Sequence, residues 1–189
     1  LIAAIVREGR IIIPKGGDCL HVGDNIFIIG QAPNVADFCR YAGKPAYKIQ
    51  TAMILGGSRI ANYLAQDLHS TGVRVKIIEN DPIRAKALSV ELPFALVVQG
   101  DGTDMEFLMS EDIASTDAFV AVTGMDEENM VVSLLAKKLG VKKVVAKVNR
   151  KGYASIAEEI GVDSVVTPGL ITLGEVLRLV RGGEVVSLI

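Results

Sequence analysis

The chain has 189 residues, of which 50% are hydrophobic and only 5% aromatic, and its formal net charge is −2. That length suits one domain of ordinary size plus a fragment, and a near-neutral balance without long basic runs excludes the electrostatic footprint of a nucleic-acid binder. An aliphatic-rich, aromatic-poor composition fits a parallel sheet covered on both faces, and no apolar run reaches the ~18 residues that a membrane helix needs.

Residues 1–53 read as an α+β piece. Ala3–Arg7 and Ile11–Pro14 are strand candidates around a hairpin-like turn at Glu8-Gly9-Arg10. Lys15–Asp18 is a loop, Val22–Asn25 a turn, and Ile26–Gly30 a third strand. Pro33–Tyr41 carries helical spacing with a proline near its start. Cys19 and Cys39 fit no metal-ligand spacing and read as buried free thiols, pointing to a reducing cytosolic compartment. Ala42–Gln50 follows as a connector punctuated by Gly43 and Pro45.

A regular alternation then begins. Strands are expected at Ala52–Leu55, Val73–Glu79, Ala95–Gln99, Ala118–Val122, Lys143–Val148 and Ser164–Thr167. Helices are expected at Ser58–Ser70, Asp81–Glu91, Met105–Ser110, Glu127–Leu139 and Gly152–Ile160. Six strands alternating with helices imply right-handed crossovers, and so an α/β fold: a Rossmann-like, doubly wound parallel six-stranded sheet preceded by a small α+β piece. Leu170–Arg181 is a further amphipathic helix, ended by Gly182-Gly183. The ends, Leu1 and the apolar run Val185–Ile189, read as those of a piece of a longer protein, although a trimmed expression product would look the same.

The first strand of the alternation runs into Gly56-Gly57-Ser58-Arg59-Ile60-Ala61, and the second closes on Glu79. Small residues let a phosphate approach the backbone, and the helix that follows offers unpaired N–H groups and a positive dipole end. The spaced fingerprint positions are Gly56, Ser58 and Ala61. Taken alone, the turn serves an ordinary strand–helix junction equally well. Glu79 favours the ligand reading, because a carboxylate there can accept both hydroxyls of an adenosine ribose and would repel a 2′-phosphate. Its bland alternative is a solvated loop acid.

Gly100–Asp104 after the third strand and Thr123–Asp126 after the fourth add candidates for nucleotide contact: Asp101, Thr103, Val122, Thr123 and Asp126. Each loop also has a ligand-free explanation. Thr103 or Asp104 can cap a helix, and Glu127 and Glu128 are acids suited to a helix's first turn. Arg59 and Lys147 are the candidate phosphate cations. Catalytic machinery is thin. His21 and His69 have no matched nucleophile or acid nearby in sequence, and no Tyr-x-x-x-Lys pair, nucleophile elbow or P-loop occurs.

Residues 54–167 resemble the RCK-N (KTN) module that regulates potassium channels and transporters. The residues that carry the likeness are Ile54–Ile60, Ile77–Asp81, Gly100–Asp104, Val122–Asn129 and Leu134–Gly140. Residues 1–43, with Ile5–Pro14 and Gly23-Asp24, resemble the end of the companion RCK-C module. This order resembles the tandem, TrkA-type members of the family. Ser58 and Ala61 stand where members often carry Gly, and Lys147 where they often carry Arg.

The resemblance implies a non-catalytic regulatory subunit that binds NAD(H) or ATP/ADP at Gly56, Gly57, Ser58, Arg59, Ile60, Glu79, Val122, Thr123, Asp126 and Lys147. It implies no metal site. Its partners would be an integral-membrane potassium transporter subunit of the TrkH-like kind, at the inner face of the plasma membrane, and further copies of itself in a dimer or tetrameric ring. The expected organisation is an RCK-C-like end at 1–43, a linker at 44–52, the nucleotide-binding domain at 53–169, a crossover helix at 170–182 and the start of a truncated next module at 183–189. The alternatives are a fragment of an NAD-dependent oxidoreductase and an oligomerisation module whose cleft has decayed.

Overall fold

Glu8 and Gly9 both adopt positive φ (49° and 77°), the conformation that lets a two-residue turn join twisted antiparallel strands. They link β1 (Ile2–Arg7) to β2 (Arg10–Ile12) in a computed structural model that describes residues 1–43 and 48–180. A third strand, β3 (Asn25–Ile28), pairs antiparallel with the other edge of β1, giving the order β2-β1-β3. Helix α1 (Ala32–Tyr41) follows, with proline in its first turn, where the missing N–H is no loss. Arg7 fixes the long loop between β2 and β3. Its Nε and Nη2 reach the two oxygens of Asp24 at 2.8 and 2.7 Å, and Nη2 also bonds the Cys19 carbonyl at 3.0 Å.

Both cysteines are free, but Cys19 is exposed and Cys39 only half-buried, against the expectation of burial. The reason is local: residues 15–20 form a loop in which every residue is exposed. The second strand also stops at Ile12 rather than running on to Pro14, because proline has no N–H to give a ladder.

The chain divides between Lys48 and Ile49. Beyond that point the elements are β4 (Thr51–Leu55), α2 (Arg59–Ser70), β5 (Arg74–Glu79), α3 (Pro82–Glu91), β6 (Leu96–Gln99), α4 (Met105–Ser110), a short 3₁₀ turn (Ile113–Ser115), β7 (Ala118–Ala121), α5 (Asp126–Lys138), β8 (Lys143–Lys147), α6 (Lys151–Glu159), β9 (Ser164–Val166) and α7 (Pro168–Val180). All six strands are parallel, in the order β6-β5-β4-β7-β8-β9. This is the Rossmann-like α/β fold expected from the alternation.

Strand residues alternate between two apolar layers. Met53, Leu55, Ile78 and Phe119 pack with Leu108 of α4, Val132 and Ala136 of α5 and Ala157 of α6. Ile54, Val75 and Ile77 pack with Ala61 and Ala65 of α2 and Leu88 of α3. Alternation of side chains along a strand sends successive residues to opposite faces, and here both faces are dry.

β4 begins at Thr51, inside the stretch expected to be linker. Asp117 explains the early start. Its Oδ2 accepts the N–H groups of Gln50 and Thr51 at 2.9 and 3.1 Å, which fastens the strand to the foot of β7. The glycine pair expected to end α7 and the expected start of a next module at 183–189 lie outside the described residues. No helix among the described residues is long and apolar enough to cross a membrane.

Candidate functional site

Six parallel strands place all their carboxyl ends on one rim, and the strand order reverses between β4 and β7, the place where doubly wound sheets open a crevice. A cavity of about 630 Å³ opens there, within the usual range for small-molecule sites. It is lined from the ends of β4, β5, β6, β7 and β8.

The glycine turn forms one wall. Gly56 has φ +95°, and a Cβ on it would lie 3.1 Å from the backbone of Thr123, so glycine is required twice over. Its N–H extends the ladder to the Ile78 carbonyl at 2.8 Å. Gly57 is buried. A Cβ there would sit 2.6 Å from Glu79 Oε2 and collide with Leu88. Ser58 lines the cavity and is the N-cap of α2, its Oγ accepting the Ala61 N–H at 3.4 Å.

Glu79 ends β5 and lines the cavity. Oε2 accepts the Gly57 N–H, and Oε1 accepts the Asp81 N–H at 2.8 Å. Arg84, from α3, completes this corner: its Nε donates to the Gly57 carbonyl at 2.8 Å. Across the cavity, Asp101 Oδ1 accepts the N–H and Oγ1–H of Thr103 at 2.9 and 2.7 Å. Those bonds hold its carboxyl below the ordinary carboxylate value. Gly102 between them leaves no room for a side chain against Leu55. Asp104, not Thr103, caps α4.

The loops after β7 and β8 are joined by Asn129, which is fully buried. Its Oδ1 accepts the N–H and Oγ1–H of Thr123 at 2.9 and 2.8 Å, and its Nδ2 donates to the Lys147 carbonyl at 2.9 Å. Val122, Thr123 and Lys147 all line the cavity, as does Glu128 in the first turn of α5. Burial, followed by the charges of Asp101 and Glu79, pushes the Glu128 carboxyl above its ordinary value.

The structure therefore brings together at one cavity Gly56, Gly57, Ser58, Glu79, Asp101, Thr103, Val122, Thr123 and Lys147. Arg59, Ile60 and Asp126 do not line it. Arg59 and Ile60 are exposed in the first turn of α2, where the helical rotation turns Ala61 rather than these two onto the sheet. Asp126 is 5% exposed and faces the β8–α6 junction. It accepts the Asn149 and Arg150 N–H groups, each at 2.9 Å, and the Asn149 Nδ2 at 3.0 Å. Burial opposes its charge, but these donors prevail and its carboxyl stays below the ordinary value.

Arg84, Asn129 and Glu128 are the residues that sequence reasoning left without a role in the site. For Arg84 the available signal was a cation five positions after the strand-ending acid. For Asn129 it was a polar residue on the apolar face of α5.

Comparison with known proteins gives the family. Residues 52–168 match the TrkA-N domain and residues 1–43 the TrkA-C domain. The chain belongs to the TrkA-N family. It is similar to the Trk system potassium uptake protein TrkA homolog of Archaeoglobus fulgidus, with 39% identity over 96% of this chain and 41% of that protein. The chain thus spans less than half the length of the curated relatives it matches. Among solved structures, the GsuK channel bound to NAD superposes with a TM-score of 0.62 at 21% identity, covering 96% of this chain and 33% of that one. GsuK bound to ADP does so with a TM-score of 0.61 at 20% identity, covering 82% and 44%. At that identity the likeness is one of fold. Curated relatives at this level of similarity carry the name of a potassium uptake system.

Proposed function

We propose that the chain belongs to a cytosolic regulatory subunit of a Trk-type potassium uptake system, and that it binds NAD(H) or ATP/ADP in the rim cavity. The observation that carries this reading is the Glu79–Gly57 corner. A strand-end carboxylate lies against a glycine turn too tight for any Cβ, beside a cavity of nucleotide size. In this arrangement Glu79 takes the adenosine ribose hydroxyls. The bare turn and the start of α2 lie against phosphate, and Lys147 supplies positive charge. Asp101, Thr103, Val122 and Thr123 shape the remainder. Arg59 and Ile60 contribute through the main chain of the first turn of α2, and Asp126 through the loop that it fastens. The name of the A. fulgidus relative supports the potassium role, and the NAD- and ADP-bound GsuK structures support the choice of ligands.

The chain acts by binding, not by turnover. Two nucleotides that bind two shapes of an oligomer with different affinities shift its equilibrium, and a ligand that binds both shapes equally shifts nothing. The output is the gating of an integral-membrane, TrkH-like potassium subunit by a homo-oligomer, dimer or tetrameric ring, at the inner face of the plasma membrane.

Calorimetric titration with NADH, NAD, ATP and ADP tests the reading. Saturable binding of at least one adenine nucleotide is expected, and silence at roughly millimolar ligand overturns it. Robust nicotinamide reduction by the full-length protein with alcohols or hydroxy acids would instead assign an oxidoreductase.

A further inference from the structure

Three consecutive acids open α5, and they have different surroundings. Asp126 is buried under the Asn149 and Arg150 N–H groups. Glu127 pairs with Arg150 Nη1 at 2.7 Å. Glu128 is the one of the three that lines the rim cavity. The charged groups facing it there are Glu79 from the end of β5, Asp101 from the loop after β6 and Lys147 from the end of β8. Among the described residues that line it, three carboxylates and one ammonium thus surround a space that, on the proposed function, receives an anion.

A first-turn acid suits the helix dipole wherever it points, so dipole energetics alone do not require Glu128 to face the cavity. Glu127 satisfies the same dipole from an exposed position. Facing the cavity has a cost, because burial and the two neighbouring acids disfavour the charged form of Glu128. A charge kept in such a place acts on whatever else enters. In a cavity of this size every ligand phosphate lies within about one Debye length of it, where like charges repel without full screening.

We propose that Glu128 is the specificity-determining residue of this cleft, limiting how much negative charge a bound adenine ligand can bring. The inference rests on the nucleotide reading and deepens it. Adenosine, which is uncharged, is insensitive to Glu128. NAD, with a net charge near −1, bears a small penalty, and metal-free ATP, near −4, bears the largest. Selection thus comes from a repulsive group set against the highly charged competitor, while Glu79 holds the ribose common to all three.

The test is calorimetry on the whole chain at fixed ionic strength with adenosine, NAD and magnesium-free ATP. Wild type is compared with Glu128→Gln and Glu128→Lys. ATP should tighten by about fivefold or more in the Gln variant and further in the Lys variant, with NAD gaining less and adenosine changing by less than about twofold. An ATP-to-adenosine affinity ratio that is the same in all three proteins, or that falls with the added positive charge, overturns the proposal. Failure of adenosine and both nucleotides to bind wild type overturns the nucleotide reading itself, and this inference with it. The charge series keeps the test decisive if one variant does not fold.

Discussion

Glu79 and Arg84 hold the two polar groups of a single residue. The Gly57 N–H is donated to Glu79 Oε2, and the Gly57 carbonyl accepts Arg84 Nε at 2.8 Å. An acid and a base from the end of β5 and the first turn of α3 therefore fix the conformation of the glycine turn before any ligand arrives. Arg84 is steadied in turn by Glu91, at 3.4 Å.

Removing the acid removes this brace and, on the proposed function, the ribose acceptor as well. Glu79→Ala should weaken adenosine, NAD and ATP alike, by about 10- to 100-fold, the range for losing hydrogen bonds to a charged group. Parallel titrations of the three ligands check it. A loss confined to the phosphate-bearing ligands would place Glu79 away from the ribose.

Gly57→Ala should be costly for steric reasons. The added methyl meets Leu88 and Glu79 Oε2 in a buried corner, and overpacking of that kind costs about 1–3 kcal/mol. Thermal unfolding should show a Tm several degrees lower, with adenosine binding lost. The same substitution at the open Gly124, where a Cβ would meet nothing within 4 Å, should leave the Tm unchanged.

Acid stability should depend on Asp117. It accepts bonds from the Gln50 and Thr51 N–H groups and from Lys142 Nζ at 2.7 Å. The Lys142 bond is the largest of several effects that hold its carboxyl far below the ordinary 3.8. A folded-state value below the unfolded one adds stability that is fully present above the unfolded pKa. That stability is lost as the pH falls below about 4 toward the folded value. Asp24, held down by Arg7, behaves in the same way. Denaturant midpoints measured between pH 7 and about pH 2 should fall steeply at the acid end for wild type, and less steeply for Asp117→Asn.

Helix α7 carries its apolar residues uncovered among the described residues, from Leu177 at 36% to Val180 at 78% exposed. On the proposed function, this stripe is the contact between copies of the chain. Leu173→Glu should move the sedimentation coefficient toward the monomer without lowering the Tm of the parallel-sheet unit. An unchanged oligomer would assign assembly to another surface.

The architecture was legible because β4 to β9 are short aliphatic runs separated by helical periodicity, and each strand falls within a few residues of its expected place. Leu55 and Glu79 close their strands as anticipated, which placed the cavity. The residues left unread owe their position to distant chain segments. Arg84 lies 27 positions from Gly57, and Asp117 66 from Thr51. Asp126 was expected at the nucleotide and Glu128 only as a first-turn acid, but helix phase reverses them, placing Glu128 at the cavity and Asp126 beneath Asn149. The 3₁₀ turn at Ile113–Ser115 is too short to leave a periodic signal.

The Asn129 carboxamide has a consequence for how the rim responds. It is a hidden tie rod: its oxygen is committed to Thr123 and its nitrogen to the strand end that bears Lys147. Neither loop can shift without stranding a polar atom in the dry interior, a loss the molecule resists. The ends of β7 and β8, neighbours in the same half of the sheet, are therefore bound into one unit along this wall of the mouth.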